Sequence, residues 1–170
     1  MNIALKILNP RLAEHGLPAY ATSGSAAVDL RALIEEPVVI RPGETYKFDM
    51  GFAIDIGRAD IAAIVMPRSG LGSKQGLVLA NTNGLIDSDY QGPISCVALN
   101  RNQPTIRSSS FFKKFLPSLY VEEKSITVNP GDRIFQMYFV PVVQAQLFAV
   151  EEFSTTTERG TGGYGSTGSA

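Results

Sequence analysis

The chain has 170 residues, 44% of them hydrophobic, and a formal net charge of −1. That size and apolar content suffice for one domain with a buried core, and no apolar run reaches the roughly 20 residues that a membrane-spanning helix needs. The near-neutral balance gives no electrostatic footprint for nucleic acid or an anionic membrane, one cysteine excludes an internal disulfide, and one histidine leaves no Cys/His zinc cluster.

The opening residues Met1 to Leu8 alternate as a strand does and are too short for a signal peptide, so a cytoplasmic location is expected. His15, in Glu-His-Gly-Leu-Pro, reads as a solvated loop residue. Strands are predicted over 2–8, 26–33, 37–41, 44–56, 61–66, 76–81, 93–100, 124–128, 133–140 and 144–150, with Gly, Pro, Asn and Asp clusters between them. Many short strands and almost no helix predict an all-β sandwich or barrel. Val39 to Glu44 and Thr127 to Asp132 echo each other, each reading as a hairpin with Pro-Gly where a type II turn wants fixed and then positive φ. Such an echo fits a jelly-roll with two facing halves.

Between these strands lie the residues that carry chemistry. In Met66 to Leu77, Arg68, the Ser69 hydroxyl and a turn at Gly70 offer a cation, a donor and backbone N–H groups suited to an anion. Asn81 to Ile94 reads as a strand-turn-strand holding two carboxylates and a phenol. Asp87 and Asp89, spaced i, i+2, would share a face in extended structure, with Tyr90 next to them and Gly84 and Gly92 where backbone can approach a ligand. Cys96, in an apolar strand, reads as a small core residue. With histidine chemistry unavailable, an acid/base role falls to a carboxylate.

Two segments break the strand rhythm. Thr105 to Tyr120 places Phe111, Phe112, Phe115, Leu116 and Leu119 at helical spacing with Lys113 and Lys114 opposite, which predicts a short amphipathic helix ended by Pro117. The tail from Glu158 is too rich in glycine to build a core, yet it carries a guanidinium, an aromatic ring, hydroxyls and backbone donors, the parts needed to close over a nucleotide.

Ala26 to Ala32, Pro67 to Leu71, Asn81 with Gly84 to Tyr90, Pro130 to Gln136 and Arg159 to Gly168 together resemble, in order, the five motifs of the homotrimeric deoxyuridine triphosphate nucleotidohydrolases, the dUTPases. The resemblance covers nearly the whole chain apart from 102–123. It implies an all-β jelly-roll or distorted β-barrel over 1–157, a helical insertion at about 102–123, and a glycine-rich arm over 158–170 that closes over an active site shared between three subunits.

The resemblance also implies the reaction, in which dUTP and water give dUMP and pyrophosphate with Mg²⁺ held mainly by the triphosphate. That activity limits uracil in DNA and supplies dUMP for thymidylate synthesis. Asp87 matches the group that orients the attacking water. A reference aspartate has a pKa of about 3.9 and is a weak base at neutral pH, so positioning should matter at least as much as proton abstraction. Arg68, Ser69, Gly70 and Gln136 match phosphate contacts, and Asp29 matches a carboxylate that reaches the metal through water. Asn81 and the backbone through Gly84, Leu85 and Ile86 match the uracil reader, Tyr90 the ring that leaves no room for a 2′-hydroxyl, and Ser95 a further substrate contact. Arg159, Ser166 and Thr167 match the γ-phosphate clamp, and Tyr164 with Gly165 the ring stacking on uracil.

Three departures stand out: Tyr164 replaces the usual Phe, Ala27-Val28-Asp29 stands where Gly-Tyr-Asp is usual, and the insertion has no counterpart in the compact family pattern. A dCTP deaminase of the same fold and a dUTP-sensing regulatory protein are the alternative readings.

Overall fold

The computed structural model describes residues 1–108 and 119–163. Its strands are β1 (Ala4–Ile7), β2 (Val28–Arg31), β3 (Val38–Ile40), β4 (Thr45–Asp49), β5 (Phe52–Asp55), β6 (Ile61–Pro67), β7 (Leu77–Leu79), β8 (Gly84–Ile86), β9 (Ser95–Asn100), β10 (Thr105–Ser108), β11 (Leu119–Glu122), β12 (Ile126–Val128) and β13 (Arg133–Pro141). They form a four-stranded sheet in the order β2-β13-β6-β8, a three-stranded sheet β4-β9-β7, and the pairs β1-β5, β3-β12 and β10-β11. The chain is all-β as expected, although no closed barrel forms among the described residues.

Period-two alternation explains the layering. In β2, Val28 and Leu30 are buried while Asp29 and Arg31 are partly exposed, and in β9 Cys96, Ala98 and Asn100 turn inward between Ser95, Val97 and Leu99. The inward faces meet in one core around Phe48, Phe52, Phe135, Leu30 and Ile40. Asn100 is the one fully buried polar side chain among the described residues. Its Nδ2 donates to the carbonyls of Ile40 and Lys124, both at 2.9 Å, and its Oδ1 accepts from the Asn102 backbone at 3.0 Å. Asn100→Leu would strand those groups, and a cost of about 2–4 kcal/mol is expected, read as a fall in Tm on the order of 5–15 °C.

The sequence reading and the fold differ in instructive places. The expected strand 44–56 is two strands, because Gly51 (φ 74°) turns the chain from β4 into β5. A Cβ there would sit 2.3 Å from Leu33 Cδ1, so no larger residue fits. Gly43 and Gly131 both have φ 79°, as Pro-Gly turns require, and the turns close by hydrogen bonds from Glu44 N to Arg41 O (3.0 Å) and Asp132 N to Asn129 O (3.1 Å). Neither is a hairpin. The echoed strands β3 and β12 instead pair with each other, Ile40 opposite Ile126.

His15 ends a one-turn helix, α1 (Arg11–His15), started by a hydrogen bond from Arg11 N to Asn9 Oδ1 and anchored by buried Leu12. Its ring is half-buried against Gly131 and is not a solvated loop group. The expected helix over 105–120 is absent at both ends, where β10 and β11 form an antiparallel ribbon from Thr105 opposite Glu122 to Ser108 opposite Leu119. Residues 109–118, which carry the Phe-Leu stripe, lie outside the described residues. No strand forms over 144–150, where the chain has no neighbouring strand of its own to pair with.

Candidate active site

What reads as a hairpin at Asn81 to Ile94 is a double crossing between sheets. The chain leaves β7 of the three-stranded sheet, turns through Asn81 to Asn83, runs as β8 along the edge of the four-stranded sheet, and returns through Asp87 to Ile94 into β9. The gap between the crossings is a cleft of about 560 Å³, floored by Val65, Leu79 and Cys96. Asn81, Gly84, Leu85, Ile86, Asp87, Tyr90 and Ser95 all line it.

Local geometry sets each side chain. β8 pairs with β6 on one side only, Gly84 opposite Val65 and Ile86 opposite Ala63, so its other edge presents free backbone groups. Thr82 has φ 64°, an uncommon conformation for a β-branched residue, and the turn is tightened by bonds from Thr82 Oγ1 to Asn81 O (2.6 Å) and Asn83 N to Asn81 O (2.7 Å). After β8 the chain is no longer extended. Tyr90 N donates to Asp87 O at 3.2 Å, closing a turn that sends Asp87 into the cleft without Asp89, so the two carboxylates do not share the site. The Tyr90 hydroxyl donates to Pro93 O at 3.1 Å, and the ring lies where a Cβ on Gly92 would come within 2.6 Å of its oxygen. Gly92 therefore makes room for Tyr90 and does not itself face the cleft. The Asp87 carboxylate has no hydrogen-bond partner among the described residues. Burial pushes the Cys96 thiol up to about 12, so it stays protonated at neutral pH and serves as floor, as its sequence context predicts.

A second depression, of about 390 Å³, lies on the other face of the four-stranded sheet. Asp29, Gln136 and Met66 stand directly opposite one another across β2, β13 and β6, so they share that outward face, whereas the adjacent row of Val28, Met137 and Val65 is buried. Arg68 reaches Asp29 Oδ1 through Nε at 2.8 Å, and Arg133 Nη1 reaches Oδ2 at 3.2 Å. Gln136 Nε2 donates to Pro67 O at 3.3 Å. Two guanidinium groups on one carboxylate leave a net positive cluster, open to an anion. No residue lines both depressions.

Ser69 and Gly70 are exposed just beyond Arg68, at the start of a π-helix over Leu71–Gln75 that periodicity did not reveal. Arg159 is exposed, in a turn closed by bonds from Gly160 N to Thr157 O and Gly162 N to Arg159 O, both 3.0 Å. Tyr164, Gly165, Ser166 and Thr167 lie outside the described residues. Arg133 is the site residue that sequence reasoning missed. Strict alternation puts residues 133 and 136 on opposite faces, but a β-bulge between Arg133 and Phe135 buries Ile134 and Phe135 in succession and turns both Arg133 and Gln136 outward.

A family model described as dUTPase matches residues 13–110 and 118–168. This chain belongs to the dUTPase family. The deoxyuridine 5′-triphosphate nucleotidohydrolase of Sodalis glossinidius is 48% identical over 167 residues, covering 98% of this chain and 97% of that one. The protein of the same name from Coxiella burnetii is 47% identical over 168 residues, with 98% and 97% covered. Among solved structures, the dUTPase of Staphylococcus bacteriophage 80alpha with dUPNHPP superposes with a TM-score of 0.77 at 28% identity, covering 99% of each chain. The gap in the family match, 111–117, falls inside the insertion, on the segment that carries most of the Phe-Leu stripe.

Metal binding in this dUTPase has to be judged from its donors. Among the described residues no group of three His, Cys, Asp or Glu side chains converges. Asp29, the carboxylate of the cationic cluster, has both oxygens engaged by arginines, so neither is left to ligate an ion directly.

Proposed function

We propose that this chain hydrolyses dUTP to dUMP and pyrophosphate, as an enzyme whose uracil is read in the first cleft and whose triphosphate is held by cations of the second kind. The free edge of β8 beside Asp87 carries this reading. Backbone donors and acceptors on a fixed strand edge pair with the polar edge of uracil, while cytosine sets a donor against a donor and leaves buried groups unpaired. Thymine carries one extra methyl, worth only about 1–3 kcal/mol in an apolar pocket, so its rejection rests on the stiff backbone wall at Gly84 to Ile86. The Tyr90 ring, fixed by its bond to Pro93 O and by Gly92, packs under the deoxyribose and excludes a 2′-hydroxyl.

Asp87 orients the attacking water at the α-phosphorus, and Arg68, Arg133, Gln136 and the Ser69-Gly70 turn bind the phosphates. Negative charge grows on the leaving pyrophosphate, which is where fixed cations lower the barrier most. Family membership makes the chemistry metal-dependent, and Mg²⁺ is the ion we assign. Bound, it would neutralise charge on the phosphates, and Asp29 would be the residue that holds it, through water.

Because the cleft and the cationic cluster occupy opposite faces of one sheet, a complete site draws its two halves from different copies, and we assign a homotrimer with the arm of one copy over the site of others. No helix among the described residues is long and apolar enough to cross a membrane, and we place the enzyme in the cytoplasm. Removing residues 159–170 is expected to leave Tm unchanged and lower kcat/KM at least about tenfold, through loss of the γ-phosphate clamp.

Pyrophosphate release from dUTP, dCTP, dTTP and UTP with Mg²⁺ tests the whole reading. Turnover of dUTP alone is expected. Comparable hydrolysis of dTTP or UTP would overturn the selectivity argument, and no hydrolysis of dUTP would overturn the activity.

A further inference from the structure

The π-helix Leu71–Gln75 directly follows Arg68-Ser69-Gly70 and is tied to it, with Gly72 N donating to Arg68 O at 2.9 Å and the Ser73 hydroxyl donating to Ser69 O. A single π turn has poor intrinsic stability and leaves its last carbonyls without partners in the helix. Here those carbonyls are met from outside. Arg101 Nη2 donates to Gly72 O at 2.9 Å, Lys124 Nζ to Lys74 O at 3.0 Å, and Asn102 Nδ2 to Gln75 O at 2.6 Å. Asn102 also packs so closely on Gly76 that a Cβ there would lie 2.8 Å from its amide, and its Nδ2 donates on to buried Asn100 Oδ1 at 2.7 Å.

Asn102 precedes β10 and Lys124 follows β11, so two of the three clamping side chains flank the insertion ribbon. We propose that Asn102 and Lys124 are positioning residues for Arg68-Ser69-Gly70, holding the π-helix so that this turn meets the triphosphate. The inference rests on the dUTP reading above. It makes the stem of the insertion part of the phosphate-binding apparatus, although neither residue lines the pyrimidine cleft.

A positioning role for the phosphate turn and a merely structural role differ in what they do to a nucleoside. Binding of a non-hydrolysable dUTP analogue and of deoxyuridine is measured by calorimetry on the full chain and its Asn102→Ala, Lys124→Met and Lys124→Arg variants. Asn102→Ala and Lys124→Met are expected to weaken the analogue about tenfold and leave deoxyuridine within about twofold, with Lys124→Arg restoring the analogue. Equal weakening of both ligands, or unchanged analogue binding, overturns the proposal. Should Asn102→Ala fail to fold because of its link to Asn100, Lys124→Met, altering an exposed side chain, decides alone. Pyrophosphate release by the unaltered protein judges the hydrolase reading separately. If it is absent while the analogue is still selectively weakened, the hydrolase reading falls and the clamp stands.

Discussion

Asp87→Asn is expected to bind dUTP about as well as the unaltered chain and to lower kcat by about a hundredfold or more. The substitution keeps size and shape and removes the charge. Asp87 closes the turn after β8 through its backbone carbonyl, which asparagine retains, so the crossing between sheets and the edge of β8 should be undisturbed. What is lost is the acceptor that holds the attacking water in line and the negative field that stabilises the proton leaving it. A fall in kcat with unchanged KM marks an interaction made in the transition state. Single-turnover kinetics with calorimetric binding would measure both, and an Asp87→Asn enzyme at full turnover would remove this carboxylate from the mechanism. Asp89→Asn supplies the contrast. Asp89 does not line the cleft, and its replacement should leave kcat within about threefold.

Much of this was legible in the sequence wherever a local rule governs the outcome. Asp87, Tyr90 and Gly84 were singled out by turn chemistry and order of motifs, and all three line the cleft. Gly43 and Gly131 follow from Pro-Gly alone. The misreadings share a cause, which is that pairing between strands distant in sequence is not written in either strand. Nothing local in Gly84 to Asn100 says that β8 and β9 join different sheets, and nothing in Arg133 to Gln136 announces a bulge. At the insertion only the base is described, and there β-branched Thr105, Ile106 and Val121 suit the ribbon that forms, while the Phe-Leu stripe that suggests a helix lies mostly outside the described residues. The clamp on the π-helix was invisible because it joins residues 27 to 50 positions apart through side chain to backbone bonds.

Leu147→Asp with Phe153→Asp is expected to dissociate the homotrimer proposed above and cut kcat/KM by about a hundredfold or more. β13 runs in register with β6 as far as Pro141, and Val142 N still donates to Asp60 O at 2.8 Å. Beyond it no strand forms among the described residues, yet Val143, Leu147 and Phe153 are 90%, 91% and 87% exposed. A segment with the composition of a strand, no partner of its own and large apolar side chains in water is suited to a neighbouring copy. Burying each of the two chosen side chains contributes about 1.5–3 kcal/mol, so an arm loses that stabilisation and must also desolvate two carboxylates if it is to stay docked. The core loses nothing, because neither side chain touches it, and circular dichroism and Tm of the separated chain report on that. Light scattering reads the mass. An unchanged mass would place this arm outside the interface. Dissociation with full activity would instead show that one copy holds both the pyrimidine cleft and the cations that serve it, against the division of the site by the sheet between them.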